Sequence, residues 1–172
     1  AYRIPTVALR FFNIYGPLQA LSNPYTGVAA IFSSRLINGQ PPIIFEDGQQ
    51  SRDFIHISDI VQACVLSLMK RQADYQVFNV GTGRATTVLQ MARLLGQHLK
   101  VTCAPKLLNR FRAGDIRYCY ADISKIQALL GYTPKVSLEQ GVPDLIAWVA
   151  QQREKDSVPG AIGELKSRGL IR

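Results

Sequence analysis

The apolar run Val7-Ala8-Leu9-Arg10-Phe11-Phe12, closed by the amide residue Asn13, decides how this sequence is interpreted. Near-continuous apolar runs are typical of strands that are buried on both faces of a parallel sheet. Such a strand needs a neighbour on each side, so we expect the chain to be the C-terminal part of a longer protein. Because ligands of open α/β sheets bind beyond the carboxyl ends of strands, Asn13 is a candidate ligand contact. The alternative is that its amide only stabilises the turn at residues 15–17.

Downstream of this strand, segments with strand and helix patterns alternate, which favours an α/β fold. The clearest amphipathic pattern is that of a helix with Ser58 as its N-cap. Its apolar residues are Ile60, Val61, Cys64, Val65 and Leu68. Ser137 and Gln140 have the spacing of a capping box, which predicts a final helix. Residues 13–25 are predicted to form a long loop and residues 151–172 a polar tail.

The composition of the chain excludes several classes of protein. The 172 residues carry a net charge of +8 and are 47% hydrophobic, which excludes a disordered chain and a coiled coil. The length favours one domain, with two small lobes as the alternative. No apolar run approaches the ~18 residues of a membrane span, so no membrane partner is expected. The three cysteines, Cys64, Cys103 and Cys119, are widely spaced, which indicates free thiols in a reducing cytoplasm and no metal site.

The basic residues are unevenly distributed along the chain. Residues 75–114 contain no acidic residue but six basic ones, namely Arg84, Arg93, Lys100, Lys106, Arg110 and Arg112. This concentration of positive charge either attracts an anionic partner or forms a solvated basic face. No helix-turn-helix, ribonucleoprotein motif or basic–aromatic strip accompanies it, so nucleic acid is not the expected partner.

The Gly81-Thr82-Gly83 sequence follows a predicted strand and precedes a predicted helix, as in a dinucleotide-binding fingerprint. Thr86 stands where that fingerprint needs its third glycine. No acidic residue lies about twenty positions further on to hold a ribose. A tight turn that leads to a helix cap at Thr86 is therefore the favoured interpretation.

Three further segments carry residues that suit an anionic or aromatic ligand. Arg52 has the planar donor fork that matches phosphate oxygens, and the alternative is a surface pair with Asp53. Phe45 either stacks on a base or fills the core. Arg112 and Asp115 flank a glycine, where the backbone can approach a ligand closely.

Taken together, four segments in this order resemble the extended short-chain dehydrogenase/reductases that act on nucleotide sugars. The segments are Ala8-Leu9-Arg10-Phe11-Phe12-Asn13-Ile14-Tyr15-Gly16-Pro17, Gly48-Gln49-Gln50-Ser51-Arg52-Asp53-Phe54-Ile55-His56, Asn79-Val80-Gly81-Thr82-Gly83 and Arg112-Ala113-Gly114-Asp115. The resemblance implies the last strand of a Rossmann-type NAD-binding domain followed by a small mixed α/β substrate-binding lobe. Residues 1–20 would belong to the first, residues 21–150 would form the nucleotide-sugar-binding lobe, and residues 151–172 the polar C-terminal tail.

The resemblance also implies roles for individual residues. Phe12 would lie near the nicotinamide of NAD, which is the family's cofactor. Asn13 would hydrogen-bond the substrate, and Phe45 would lie against the nucleobase.

The remaining implied contacts involve charged and amide side chains. Arg52 and Arg112 would hold the diphosphate, in agreement with the fit between guanidinium forks and phosphate oxygens. Asp115 and Asn79 would fix hydroxyl or base groups of the nucleoside. The family often has arginine where this chain has Leu18, so a contact made by that arginine is not expected here.

The activity that the resemblance implies belongs to the full-length protein. The family's Gly-x-x-Gly-x-x-Gly loop and Tyr-x-x-x-Lys pair are absent from the 172 residues, and the resemblance places both upstream of Ala1. This chain is therefore expected to hold no catalytic residue and to be inactive alone. The family mechanism passes through a 4-keto sugar.

Finer assignments within the family rest on short segments. Residues 21–28 and 45–48 look most like the dTDP-rhamnose 4-epimerase branch, and the UDP-glucose 4-epimerases are also similar. The alternatives are a 4,6-dehydratase or decarboxylase of the same family, or a non-catalytic nucleotide-sugar-binding module. The expected partners are a dTDP- or UDP-sugar and a second copy in a homodimer.

Overall fold

The computed structural model of the chain describes residues 2–20, 27–110, 113–152, 163 and 167–169. Within these ranges the chain has the α/β architecture that its sequence predicts. The strands are β1 (Ala8–Phe11), β2 (Asn13–Tyr15), β3 (Ile43–Ile44), β4 (Ser51–Arg52), β5 (Phe54–His56), β6 (Val77–Val80), β7 (Thr86–Thr87), β8 (Lys106–Leu107) and β9 (Tyr118–Cys119). The helices are α1 (Val28–Ile37), α2 (Ile57–Met69), α3 (Val88–Leu99), α4 (Ser124–Leu130) and α5 (Leu138–Gln151). A short 3-10 turn, Arg71–Ala73, follows α2.

Most of the strand pairs are parallel. β1 pairs with β6, β2 with β5, and β3 with β8. β4 runs parallel to β9 and antiparallel to β7. Phe12 alone separates β1 from β2, and Asp53 alone separates β4 from β5. Hydrogen bonds continue across the second junction, because the Asn13 N–H donates to the Asp53 carbonyl at 2.9 Å and the Asp53 N–H donates to the Cys119 carbonyl at 3.1 Å.

Two apolar clusters lie on opposite faces of β5, whose successive side chains point to opposite sides. Phe54 belongs to the cluster that includes Tyr15 and residues of α1, α3 and α5. The next residue, Ile55, belongs to the cluster that includes Phe78, Tyr132 and residues of α2 and α4. All three residues of β5 are buried, so this strand separates the two clusters.

The sequence predicts the N-cap of α5 correctly and the N-cap of α2 incorrectly. The predicted capping box of α5 is confirmed, since Ser137 Oγ accepts from the Gln140 N–H and the Gln140 side chain accepts from the Ser137 N–H. Ser58, predicted to cap α2, is not the cap. That position is held by His56, whose Nδ1 accepts from the Ser58 N–H at 3.3 Å and lies 2.8 Å from Ser58 Oγ.

Strand pairing corrects two further predictions. The long loop predicted at residues 13–25 begins with a strand, because β2 pairs in parallel with β5. Thr86 does not cap α3, because it pairs with Arg52 in the ladder between β4 and β7, and Thr87 is the cap. Both errors arise because a partner strand distant in the sequence leaves no local signal.

The first strand is less buried than its sequence predicts. β1 has β6 as its neighbour on one side, and the described residues supply no strand on the other. Phe11 is 44% exposed, and Leu9 is half-buried. Burial of this strand on both faces stays a prediction, because the described residues supply a neighbour on one side only.

The structure also bears on the predictions for the cysteines, membrane spans and C-terminal tail. Cys64, Cys103 and Cys119 are free thiols, as predicted, and they are half-buried. No helix within the described ranges has the length and apolar character needed to cross a membrane. Residues 21–26 and most of the predicted tail at 151–172 lie outside the described residues.

Candidate functional site

Two of the predicted site residues, Arg52 and Asp115, form an ion pair. Arg52 ends β4, and its Nη2 donates to Oδ1 of Asp115 at 2.5 Å. Its Nη1 donates to the Ser51 carbonyl at 2.7 Å, and Asp115 Oδ1 also accepts from the Ile116 N–H. The two side chains are 14% and 15% exposed, so the pair is largely shielded from solvent. The alternative pairing of Arg52 with Asp53 is wrong, because the Asp53 carboxylate accepts from Thr82, Gly83 and Ala121 instead.

Arg117, which the sequence analysis did not single out, ties the loop after β3 to β4. Its Nη1 donates to Glu46 Oε2 and to Asp47 Oδ1, each at 2.7 Å, and its Nη2 donates to Asp47 Oδ2 at 2.8 Å. Its carbonyl accepts from the Ser51 N–H at 2.9 Å. The hydrogen bonds from Arg117 hold the pKa of Asp47 well below its usual range. One residue thus joins two segments of the candidate site.

Phe45 starts the loop that Arg117 holds, and its side chain is half-buried. The Phe45 carbonyl accepts from Nε2 of Gln50 at 2.9 Å, and Gln50 is only 4% exposed. Asp47 closes the turn between them by accepting from the Gln49 N–H at 2.9 Å. The Phe45 ring is part of neither apolar cluster, so the alternative that it fills the core is not supported.

Asn13 begins β2, beside the junction between β4 and β5. Its backbone N–H donates to the carbonyl of Asp53, the residue after Arg52. Its side-chain amide makes no hydrogen bond to any described residue, so it does not stabilise the turn at residues 15–17. The amide is therefore unpaired among the described residues. Phe12, one residue earlier, packs half-buried against the cluster that contains Phe78.

Of the other two predicted substrate contacts, only Asn79 lies among the described residues. Asn79 lies on β6, opposite Arg10 of β1, and its Nδ2 donates to the Asp122 carbonyl at 3.2 Å, just before α4. Arg112 lies outside the described residues. We call the following five residues the candidate site: Asn13, Phe45, Arg52, Asp115 and Arg117.

A buried carboxylate binds the Gly81–Gly83 turn. Asp53 has an exposed fraction of 0%, and its oxygens accept from the N–H groups of Thr82, Gly83 and Ala121 at 2.9 to 3.2 Å. The Thr82 hydroxyl donates to the same carboxylate at 2.6 Å. A Cβ at Gly81 would lie 2.5 Å from Asp53 Oδ2, so the turn needs glycine there. These contacts confirm that the glycine-containing sequence forms a tight turn.

The same turn does not fit the phosphates of a dinucleotide. Phosphate binding at the start of a helix needs backbone N–H groups that point at the ligand, and here Asp53 takes those of Thr82 and Gly83. The Tyr132 hydroxyl closes the turn from the other side by donating to the Gly81 carbonyl at 3.0 Å. We call this group, consisting of Asp53, Gly81–Gly83, Ala121 and Tyr132, the buried turn.

Sequence reasoning missed Arg117 and the function of Asp53 for the same reason. The acidic partners of Arg117 lie 70 and 71 residues earlier in the chain, and the donors to Asp53 lie 29 to 68 residues later. The adjacent acids Glu46 and Asp47, just before a glycine, do indicate that a cation is needed nearby. Nothing local indicates which cation supplies the charge.

Known proteins share both the sequence and the fold of this chain. Residues 1–81 match the NAD dependent epimerase/dehydratase family. The chain is 39% identical over 156 residues to the dTDP-L-rhamnose 4-epimerase of Burkholderia thailandensis, and the match covers 90% of this chain and 42% of that protein.

Solved structures of similar proteins agree with this match and confirm the predicted fold class. The UDP-glucose 4-epimerase of Thermotoga maritima, solved with UDP-glucose, has a TM-score of 0.82 and 37% identity over 89% of this chain and 48% of that one. The UDP-glucuronic acid 4-epimerase of Bacillus cereus, solved with UDP-glucuronic acid and NAD, has a TM-score of 0.79 and 29% identity over 87% of this chain and 46% of that one. The chain therefore spans a little under half the length of these relatives.

Proposed function

Because the chain belongs to the NAD-dependent epimerase/dehydratase family, we propose that it forms the nucleotide-sugar-binding part of a 4-epimerase. The relatives described above support epimerisation, since each is named as a 4-epimerase of a nucleotide sugar. A 4,6-dehydratase or a decarboxylase of the same family would need similar substrate contacts, but those relatives do not favour either reaction. The proposed substrate is a dTDP- or UDP-sugar.

The observation that carries the proposal is the hydrogen bonding of Arg52. A guanidinium has five N–H donors, and the described contacts of Arg52 use one donor for Asp115 and one for the Ser51 carbonyl. The remaining donors belong to a side chain that is already fixed in position and largely shielded from solvent. A fixed fork in such surroundings is suited to bind diphosphate oxygens through charge-assisted hydrogen bonds.

The other residues of the candidate site supply the contacts that a nucleotide sugar needs beyond its diphosphate. We assign the nucleobase to the Phe45 ring, which lies outside both apolar clusters. Asp115 would accept from a ribose hydroxyl in addition to holding Arg52, and the free amide of Asn13 would hydrogen-bond the sugar. Arg112 and Asn79 remain predicted contacts from the family resemblance.

NAD is the cofactor of this family, and when bound it supplies a hydride acceptor and donor. We propose that Phe12 lies near the nicotinamide, as its half-buried position between β1 and β2 permits. The buried turn does not hold the NAD phosphates, because its N–H groups are bound to Asp53. In this proposal residues 1–20 end the NAD-binding domain and residues 21–150 form the substrate lobe. A homodimer and a cytoplasmic location stay predictions.

Calorimetric titration of the full-length protein with UDP and with dTDP tests the diphosphate assignment. We expect Arg52→Ala to weaken binding by about 1.5 to 3 kcal/mol, the value of a hydrogen bond to a charged group. Arg71→Ala, which removes an exposed arginine from the 3-10 turn, is the matched control and should bind as the native protein does. Equal affinities in the two variants would exclude Arg52 as a diphosphate contact.

A second experiment tests the reaction. The full-length protein is incubated with NAD and a panel of UDP- and dTDP-sugars, and inversion at the sugar C4 is followed by proton NMR. Inversion of at least one sugar is expected. Tight binding without any inversion would instead identify a non-catalytic binding module, and loss of water from the sugar would identify a dehydratase.

A further inference from the structure

A cavity of about 740 Å³ opens between α3, α4 and residues 133–139, and none of the candidate-site residues lines it. Its volume falls within the range of small-molecule sites, roughly 300 to 1,000 Å³. Phe54 and Ile123, which are 5% and 8% exposed, provide an apolar floor. One face of α3 provides a wall, with Gln90, Arg93 and Gln97 at helical spacing.

Three cationic side chains line this cavity, namely Arg84, Arg93 and Lys135. No carboxylate in the described ranges lies within ion-pair distance of any of them. Glu139 is the one acidic residue in the lining. Its charge interacts with that of Arg84 and offsets part of the positive charge, so the cavity keeps an excess of positive charge.

Hydrogen bonds anchor the backbone of two segments that carry these cations. Lys135 and Val136 donate their backbone N–H groups to the carboxylate of Asp59 at 3.0 and 3.1 Å, and Asp59 is only 2% exposed. The Arg84 N–H donates to the Thr82 hydroxyl of the buried turn at 3.2 Å. Both backbone segments are thus anchored, so the exposed side chains of Arg84 and Lys135 extend from backbone positions that need not be ordered when a ligand binds.

We propose that this cavity is a second ligand site, which binds a phosphate monoester with an apolar body. A phosphate monoester carries a charge of about −1.5 to −2 at neutral pH, which matches three cations and one carboxylate better than a single carboxylate ligand does. Guanidinium groups bind phosphate oxygens through paired hydrogen bonds. The apolar floor of Phe54 and Ile123 accommodates the organic part of the ligand.

The second site accounts for two of the basic residues that are concentrated in one part of the sequence. Arg84 and Arg93 both come from the acid-free stretch at residues 75–114. The candidate site draws no described cation from that stretch, since Arg52 and Arg117 lie on either side of it. The inference rests on the cavity and its charges and does not depend on the proposed function.

Phenyl phosphate is the probe that combines the two features of this ligand class. Full-length protein is titrated with phenyl phosphate, inorganic phosphate and phenol by calorimetry, with UDP present at saturation so that the candidate site is occupied. We expect one saturable site for phenyl phosphate, about tenfold tighter than inorganic phosphate, and no saturable binding of phenol.

Variants assign the binding to this cavity. Arg93→Ala and Lys135→Ala should each weaken phenyl phosphate binding about tenfold, while Arg71→Ala should leave it unchanged. Arg52→Ala separates the two sites, because it should weaken UDP binding and leave phenyl phosphate binding intact. The inference is overturned if phenyl phosphate shows no saturable binding, if inorganic phosphate binds as tightly, or if Arg93→Ala and Lys135→Ala bind it like the native protein.

Discussion

The buried turn and the candidate site contain the sequence neighbours Asp53 and Arg52 and use their charges in opposite ways. Asp53 is fully buried, and backbone N–H groups and a hydroxyl from two distant segments donate to its carboxylate. Arg52 keeps 14% of its side chain exposed and uses only part of its donor capacity on the described protein. A buried charge whose partners are all protein groups stabilises the fold, whereas a fixed charge with spare donors is available to a ligand.

Neighbouring charges in a sequence therefore need not share a role. Arg52 pairs with Asp115, whereas the Asp53 carboxylate binds the Gly81–Gly83 turn, so each meets a different environment. We therefore expect substitutions at the buried turn to change mainly stability, and substitutions at the candidate site to change mainly nucleotide affinity.

Asp53→Ala should have the largest effect on stability. It leaves the N–H groups of Thr82, Gly83 and Ala121 without their acceptor, and an unsatisfied buried group such as that of Ala121 costs about 1 to 3 kcal/mol. We expect urea denaturation to show a loss of about 3 kcal/mol or more in the free energy of unfolding. Asp122→Ala is the control, because that exposed carboxylate accepts only from Ser124 among the described contacts. Similar losses in the two variants would contradict the role given to Asp53.

Tyr132→Phe should have a smaller effect with a pH dependence. Removing the hydroxyl takes away the donor to the Gly81 carbonyl, at a cost of about 1 kcal/mol at neutral pH. Burial, reinforced by the charges of Asp59 and Asp53, raises the pKa of Tyr132 above its ordinary value of 10.0. The stability due to the protonated hydroxyl is therefore complete below pH 10 and is lost as the pH rises beyond it.

The measurement is the free energy of unfolding from pH 7 to pH 11. The native protein should lose stability above about pH 10, and Tyr132→Phe should lose less over that interval. Tyr120→Phe, at a side chain that is 56% exposed, should follow the native curve. Identical alkaline curves for the native protein and Tyr132→Phe would show that this hydroxyl does not contribute.

Arg117→Ala should have the smallest effect on stability and a moderate effect on binding. The substitution removes the hydrogen bonds by which Arg117 holds Glu46 and Asp47 of the loop after β3, so the Phe45 ring loses part of its fixed position. We expect UDP affinity to fall severalfold, by less than in Arg52→Ala, because Arg117 orients the site without touching the diphosphate.

Arg117→Lys separates orientation from charge. Lysine keeps the positive charge but lacks the fork that holds Asp47 through two hydrogen bonds, so it should restore affinity only in part. Inorganic pyrophosphate, which has no base to contact Phe45, should bind Arg117→Ala as it binds the native protein. An equal loss for pyrophosphate and UDP would assign Arg117 to the diphosphate itself.

Local sequence signals were enough for some elements and insufficient for others. The capping box of α5 lies within four consecutive residues, and the structure confirms it as predicted. The strand β2 and the N-cap of α2 were missed, because β2 depends on pairing with β5, about forty residues away, and the cap depends on a histidine that also ends a strand.

The same distinction applies to the candidate site. Phe45, Arg52 and Asp115 could be named from their chemistry and from the family resemblance. The sequence does not predict that Arg117 connects their segments or that Asp53 binds the Gly81–Gly83 turn. Both depend on contacts between segments far apart in the chain. The burial of β1 likewise depends on its neighbours, of which the described residues supply only β6.

The most direct test of the account is a crystal structure of the full-length protein with UDP bound. If Arg52 binds the diphosphate, its guanidinium should lie within hydrogen-bond distance of the diphosphate oxygens, about 2.7 to 3.0 Å. The uracil should lie against the Phe45 ring. Asp53 should remain bound to the turn at Thr82 and Gly83. A diphosphate bound elsewhere, for example among the cations of the second site, would contradict the assignment of Arg52 to ligand binding and of Asp53 to stability.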